Sequence, residues 1–289
     1  MNVMIILNYN DHLMTTSYLQ KIKDYAILDK IIVVDNNSTD NSFEVLSQFS
    51  SDKIIVLSAP ENQGYASGNN VGLNYAFKHY DVENFIISNP DIEVSENVIK
   101  SICECLDKKD FITATGLIKN KAGFVAKNFA WYLPKYYHIL SETFILSTMI
   151  LKKFNLSRFY QLDDKSDIKK VEVLSGCFFA INAKVFRDIG FFDERTFLYG
   201  EENCLFYKIE KLGYKNGVLL NQDVIHYGGE SIKKNIKGFF KKQRILMNSE
   251  INYLKNYLKV NTMQLEIYKV LFHLGSIEKY IIFKLTRRM

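Results

Sequence analysis

The sequence predicts an α/β protein built on a mostly parallel sheet flanked by helices, with a helical, basic C-terminal extension. Three observations lead there. Short β-branched and apolar runs alternate with segments of helical periodicity over residues 1–117. Those runs end in clusters of Asn, Asp and Ser, which is where open α/β sheets place their ligands. The 289 residues, 47% hydrophobic and 14% aromatic, can bury a large core in one domain, or in one domain with an appendage.

Val3–Leu7 reads as the first strand and ends in the polar turn Asn8-Tyr9-Asn10-Asp11; a helix over Thr15–Tyr25 follows. Lys30–Val34 is the second strand. It stops at Asp35-Asn36-Asn37-Ser38-Thr39-Asp40, whose last three residues suit the N-cap of a helix to Phe49. Ile54–Ser58 makes a third strand. The segment Asn62–Gly72 is rich in Gly and Asn and leads into a helix ending at Phe77. Two readings are open for it: a surface loop, or a loop whose glycines and amides approach a polar ligand. Phe85–Ser88 is the fourth strand, Ser95–Leu106 a helix and Phe111–Leu117 another strand. Between the first two of these lies Asn89-Pro90-Asp91-Ile92-Glu93, which is either a turn or a carboxylate site for a cation beneath a phosphorylated ligand.

From Lys119 to Lys170 the pattern loosens, as insertions that carry substrate-specific surfaces tend to. Trp131 and its aromatic neighbours are candidates for stacking on an acceptor sugar, with ordinary packing as the alternative, and Gln161–Asp167 reads as an exposed loop. Val171–Ile181 is an apolar run interrupted at Ser175-Gly176-Cys177, a pattern that marks a bulge or close approach by a ligand. After a short helix over Asn182–Ile189, Glu201 and Glu202 fall in the first turn of a helix ending near Gly213. Asn216–Leu220 and Val224–His226 read as a short strand pair, closed by Tyr227-Gly228-Gly229-Glu230-Ser231, and helical patterns run from Lys233 almost to the end.

The net charge of +5 conceals an asymmetry. Residues 231–289 carry 13 Lys/Arg and 3 acids, a net +10; residues 1–230 carry 24 and 29, a net −5. A localised basic tail suits an anionic surface, solvated helices or a dimer contact. No apolar run is long enough to cross a bilayer, and Met1–Leu7 lacks the basic start and cleavage site of a signal peptide, so a cytoplasmic protein is expected. Cys103, Cys105, Cys177 and Cys204 are scattered, as buried reduced thiols would be.

A dinucleotide-binding domain would need a glycine-rich turn after the first strand, and Asn8-Tyr9-Asn10-Asp11 has no glycine. Gly-Lys-Ser/Thr and Gly-x-Ser-x-Gly are also missing from the sequence. What remains is a set of acids and amides at strand ends, a distal acidic pair and a late His. Such a set suits group transfer from a nucleotide diphosphate: a cation held by carboxylates neutralises the leaving diphosphate, and a separate carboxylate takes the acceptor's proton.

The order Val33-Val34-Asp35-Asn36-Asn37-Ser38-Thr39-Asp40, Asn62–Gly72, Asn89-Pro90-Asp91, Gly200-Glu201-Glu202 and His226-Tyr227-Gly228-Gly229-Glu230-Ser231 resembles the inverting family 2 glycosyltransferases of GT-A fold. Within that family it is most similar to rhamnosyltransferase-like bacterial members that build surface polysaccharides. The resemblance implies a glycosyltransferase domain over 1–232 and a basic helical extension over 233–289. Residues 1–117 would form the nucleotide-sugar half, and 118–232, including the insertion 119–170, the acceptor and catalytic half. It implies that Asn8 and Asp35 face the nucleotide, and that Asn37, Gly64, Asn69, Asn70, Asn89 and Asp91 line the donor site. Asp91 and His226 would hold a divalent cation, Mg2+ or Mn2+; Asn89 replaces the first Asp of the family's Asp-x-Asp motif, one charge fewer. Glu202 falls on the catalytic base, a Glu where the family has Asp, and Glu201 on its acidic neighbour. A helix start is expected to lower their pKa values and keep them ionised. Trp131, Ser175 and Gly176 are acceptor-side candidates. The implied partners are a dTDP- or UDP-sugar donor and a glycan or lipid-linked glycan acceptor, with peripheral membrane contact through the basic helices, no nucleic acid, and a homodimer left open. A non-catalytic nucleotide-sugar or glycan-binding subunit is the alternative.

Overall fold

The computed structural model describes residues 1–107, 111–154, 156–162, 166–228 and 238–286. Asp163-Asp164-Lys165 of the expected exposed loop, Gly229-Glu230-Ser231 of the late motif and the start of the tail's helical pattern lie outside the described residues. The N-terminal half is a parallel array of β1 (Asn2–Asn8), β2 (Lys30–Asp35), β3 (Ile54–Ser58) and β4 (Asn84–Ser88), in the order β3-β2-β1-β4. Helices α1 (His12–Ile22), α2 (Ser42–Ser47) and α3 (Tyr65–His79) form the crossovers. Val3–Ile6 and Ile31–Val34 are fully buried, as strands covered on both faces must be. The register pairs Asn8 with Asp35 and Asp35 with Ser58, so the polar strand ends stand in a row at one edge.

The sheet continues through β5 (Ile92–Glu93) and β6 (Thr113–Asn120), separated by α4 (Glu96–Asp107). The insertion contributes β7 (Ala130–Trp131), α5 (Tyr136–Ser141), α6 (Ile145–Lys153) and β8 (Ile168–Val171). Then come β9 (Val173–Leu174), β10 (Phe178–Asn182), α7 (Ala183–Asp188), α8 (Glu201–Lys211) and β11 (Asn216–His226), followed by α9 (Phe239–Asn256) and α10 (Thr262–Thr286). β10 slots antiparallel between β4 and β6, giving a mixed nine-stranded sheet in the order β3-β2-β1-β4-β10-β6-β11-β5 with β8 beside β11.

Three expectations are corrected. Most of the Gly/Asn-rich segment is helical, because α3 begins at Tyr65. Its glycines serve packing: a Cβ at Gly68 would stand 2.5 Å from Leu7 Cδ1, and one at Gly72 would stand 2.9 Å from Val34 Cγ2. The strand pair after Asn216 is one strand, β11, whose register on β6 shifts between Leu219 and Asp223. The helix expected from Ser38 starts at Ser42, because the Ser38 hydroxyl is bonded to Asp35 and the Ser42 N–H is taken by Asp40.

The C-terminal helices share a core with the rest. Tyr253, Leu254, Tyr257, Leu265, Tyr268 and Phe272 pack with Ile139 of α5 and Cys204 of α8. Glu278 accepts from the N–H groups of Ile145 and Leu146, capping α6. Gly275 is what permits this docking, since a Cβ there would lie 2.1 Å from the Thr143 carbonyl oxygen. Gly275→Ala should therefore lower stability by about 1–3 kcal/mol, whereas Leu274→Ala on the exposed side of the same helix should stay within about 0.5 kcal/mol; urea denaturation of both variants checks this.

Candidate functional site

The edge where β1 and β2 end is built by one carboxylate. Asp35 Oδ1 accepts from Asn8 Nδ2 at 2.8 Å and from Ser38 Oγ at 2.6 Å, and its Oδ2 accepts from the Ser38 N–H at 3.0 Å. Thr15 Oγ1 donates to Asn8 Oδ1 and so fixes the amide's orientation. Asn37 follows in the left-handed region at φ 56°. Asn36 donates to Asn62 Oδ1 and to the Gly64 carbonyl, which binds this edge to the start of α3.

Gly64 caps α3 at φ 101°, and the Phe197 carbonyl oxygen comes so near that a Cβ would meet it at 2.0 Å. The Tyr65 N–H donates to the same oxygen, and Tyr65 Oη donates to the Gly176 carbonyl at 3.0 Å. Burial, and after it the charges of Glu201 and Glu202, hold the Tyr65 phenol well above its usual pKa, so it stays a donor. Asn70 donates to the Phe192 carbonyl and Glu194 and accepts from the Phe192 N–H, fastening α3 to the segment before α8. Asn69 donates to the Tyr65 carbonyl, leaving a buried Oδ1 without a hydrogen-bond partner.

Asp91 and His226 meet because β5 pairs antiparallel with the end of β11, setting Ile92 opposite His226. His226 Nε2 lies 3.3 Å from Asp91 Oδ2, as an ion pair without a well-aligned hydrogen bond. Burial opposes the imidazole's charge, but Asp91 and Cys177 outweigh it and push the pKa up to about 10. Asn89 is held from the other side, its N–H donating to the Cys177 carbonyl. Glu93 is exposed and paired with Lys21 and Tyr227.

Gly200, at φ 77°, turns the chain into α8 and places Glu201 and Glu202 in its first turn. Glu201 is buried, and its Oε2 has no hydrogen-bond partner. Glu202 Oε1 accepts from the Gly176 N–H at 3.3 Å, and a Cβ at Gly176 would crowd Glu202 Cγ at 2.9 Å. Glycine at 176 is thus what admits the carboxylate. The expected lowering of these pKa values is overturned. Burial raises both, Glu201 well above the ordinary value because the charge of Glu202 adds to it. At Glu202 backbone N–H groups, including that of Gly176, and Arg158 offset part of the rise. A helix terminus contributes about 0.3–1 kcal/mol, less than the desolvation it faces here.

Trp131 is buried, not open to a sugar. Its indole N–H donates to Asn203 beside Glu202, and its ring meets Phe159 edge-on. Ser175 is also buried, its hydroxyl on Cys177 Sγ. Sequence reasoning missed the residues that grip the segment leading into α8. Asp193 accepts from Arg195, from Tyr257 Oη at 2.7 Å and from Asn252 at 3.2 Å, while Ser249 Oγ donates to the Leu198 carbonyl. Three of these lie on α9 or just after it, among lysines, where periodicity signals only a packed helix face.

The structure therefore brings together an Asp–His ion pair at the ends of β5 and β11 and, at the start of α8, a glutamate pair of which Glu201 is buried and Glu202 half-buried. The two are joined by the turn 175–177, which touches Asn89 through Cys177 and Glu202 through Gly176.

Comparison with known proteins agrees with this architecture. The chain is similar to the low-salt glycan biosynthesis hexosyltransferase Agl10 of Haloferax volcanii, at 25% identity over 222 residues, covering 77% of this chain and 66% of that protein. It thus spans just under two thirds of that relative's length. It superposes on GalNAc-T7 crystallised with UDP, GalNAc and Mn2+ (TM-score 0.58, 15% identity, 99% of this chain and 58% of that one). It likewise superposes on the mannosyltransferase PcManGT from Pyrobaculum calidifontis in complex with GDP-Man and Mn2+ (TM-score 0.57, 12% identity, 96% and 75%). These structural likenesses show the GT-A fold. The family described as Glycosyl transferase family 2 matches residues 4–190, a span that holds Asp35 and Asp91 and stops before Glu201, Glu202 and His226. The chain belongs to glycosyl transferase family 2.

Proposed function

We propose that this protein is an inverting glycosyltransferase, moving a hexosyl or deoxyhexosyl group, with rhamnose as the favoured sugar, from a nucleotide-diphosphate donor to a hydroxyl of a growing, lipid-linked glycan. The observation that carries the reading is the joining of two acidic stations through one turn: Asp91 with His226, and Glu202 seated on Gly176. The hexosyltransferase relative and the nucleotide-bearing neighbours support it.

In this reading Asn8 and Asp35 face the base and ribose, and the Asn89–Asp91 turn faces the diphosphate. Asp91 and His226 would hold a divalent cation: the carboxylate and the imidazole Nε2 stand 3.3 Å apart, and the proton that Asp91 favours on the imidazole would be given up when the ion binds. Such ions bind through one or two protein groups plus substrate phosphates. When bound, the cation supplies charge neutralisation at the leaving diphosphate. Glu202 accepts the proton of the acceptor hydroxyl, whose oxygen bonds the anomeric carbon from the face opposite the diphosphate. The bond from that carbon to the diphosphate oxygen breaks, and the nucleoside diphosphate leaves with the electron pair. Burial and the charge of Glu202 raise Glu201 the further of the two, so it takes up a proton ahead of Glu202. It therefore leaves a single negative charge for the proton transfer.

Glu202→Gln should reduce transfer by about 10²–10⁴-fold while a donor still raises the melting temperature; turnover by mass spectrometry and thermal shift with UDP-, dTDP- and GDP-sugars, each with Mn2+ or with EDTA, measure the two. Unchanged turnover in that variant would remove Glu202 from the role, and donor binding with no turnover in the parent protein would favour the binding-subunit reading. Glu201→Gln copies the protonated carboxyl and should keep activity within about tenfold of the parent. Because only ionised Glu202 accepts a proton and its pKa is raised, the rate should climb with pH along a limb lying above the ordinary carboxylate value of 4.5. Tyr257→Phe removes a bond to Asp193 and should lower kcat by about tenfold with donor affinity unchanged, as separate kcat and KM determinations would show.

A further inference from the structure

Among the described residues, two neighbouring helices carry the largest share of the exposed apolar side chains. α10 buries Leu265, Tyr268 and Phe272 on one side. On the other it presents Met263, Ile267, Val270, Leu274, Ile277 and Ile281, spaced alternately by four and three residues and between 43% and 69% exposed. α6, capped by Glu278 of α10, buries no side chain, and it exposes Leu146, Met149 and Ile150 before ending in Lys152 and Lys153. Two helices in contact thus each present several exposed apolar side chains, more than surface hydrophobes scattered singly.

One end of this face is aromatic and cationic. The start of α9 meets the end of α10, where the Phe239 ring lies 5.5 Å from Tyr280 and 6.2 Å from Phe283, and Phe240 lies 5.0 Å from Tyr280. Residues 238–247 and 279–286 hold Lys241, Lys242, Arg244, Lys279 and Lys284 and no acid. Lys284 sits over the Tyr280 ring at 5.6 Å. All three acids of the tail are occupied: Glu250 by Tyr268, Glu266 by Lys269 and Glu278 by the N-terminus of α6. Lys279 donates to the Glu142 carbonyl near Glu250 and Glu278, so the cations of this end are Lys241, Lys242, Arg244 and Lys284.

We propose that this face seats the protein on an anionic lipid bilayer. Apolar side chains from α6 and α10 enter the headgroup boundary, aromatic rings lie at the interface, and the lysines and Arg244 meet lipid phosphates. Among the described residues no helix is long and apolar enough to cross a membrane, so the contact is one of lying on the surface. A second copy of the chain fits less well. It could cover the apolar stripe, but its own tail brings the same cations and no free acid to match them.

The test is flotation of the full chain with phosphatidylcholine vesicles, with and without phosphatidylglycerol, at low and high salt. The expected result is binding only to the anionic vesicles, weakened by salt. Reversing Lys241, Lys242 and Lys284 to Glu should lower the bound fraction by about tenfold or more, and Ile277→Ser with Ile281→Ser should also lower it. These side chains are exposed or partly exposed, so the variants' melting temperatures and their thermal shift with donor should match the parent. That separates this proposal from the proposed chemistry, which could fail without it. Equal binding to both vesicle types, no binding, or insensitivity to charge reversal would overturn the proposal. So would size-exclusion data in which the Ile277/Ile281 variant turns a dimer into a monomer while flotation is unchanged.

Discussion

The approach of the Phe197 carbonyl to Gly64 is the contact on which the rest of the site depends. With no side chain at 64, the segment 193–200 can lie directly against the first turn of α3, and the Tyr65 N–H bonds the same oxygen. That segment starts α8, and α8 carries the glutamate pair. The far side of the segment is held by Asn252, Tyr257 and Ser249. An eight-residue stretch without regular structure is thus gripped by an N-terminal helix and a C-terminal one, and the carboxylates inherit its position.

Two buried acid environments a few residues apart behave in opposite ways. Burial raises Asp193 too, but bonds from Arg195, Tyr257 and Asn252 outweigh it and hold that carboxyl well below its ordinary range. Glu201 has no such donors at Oε2, so burial prevails. Donor count at the carboxylate, more than depth, decides which acid is an anchor and which keeps a proton. Glu202 lies between these extremes, with the Gly176 N–H as its one partner from outside its own helix turn.

Much of the scaffold was legible in the sequence. Parallel strands covered on both faces leave long apolar runs, and β1, β2, β3 and β4 fall where those runs are. Glycine was harder to read, because the same residue serves a loop, a close helix packing or a left-handed turn, and only the neighbours distinguish Gly68 and Gly72 from Gly64. The juxtaposition of Asp91 with His226 follows from a two-residue strand, too short to leave a periodic signal. The grip of α9 on Asp193 was invisible for another reason: Asn252 and Tyr257 look like ordinary members of a polar helix and a following turn until their partners are known. The pKa direction at Glu201 and Glu202 was misread because sequence reports the helix start and not the depth of burial.

The position of β10 has a consequence for the order in which the molecule can be built. It lies between β4 and β6 although it is made after both, so the exposed edge of β4 waits for its partner during synthesis. Pairings so distant in sequence are slow to form, and an open apolar strand edge is prone to pair with other chains meanwhile. The N-terminal strands can assemble as they emerge, but the segment before α8 is gripped from both sides only once Tyr257 has been synthesised. Until Phe178–Asn182 has emerged the nascent chain has a sheet with one slot unfilled, and until Tyr257 follows, the segment that positions the glutamate pair is held from the α3 side alone.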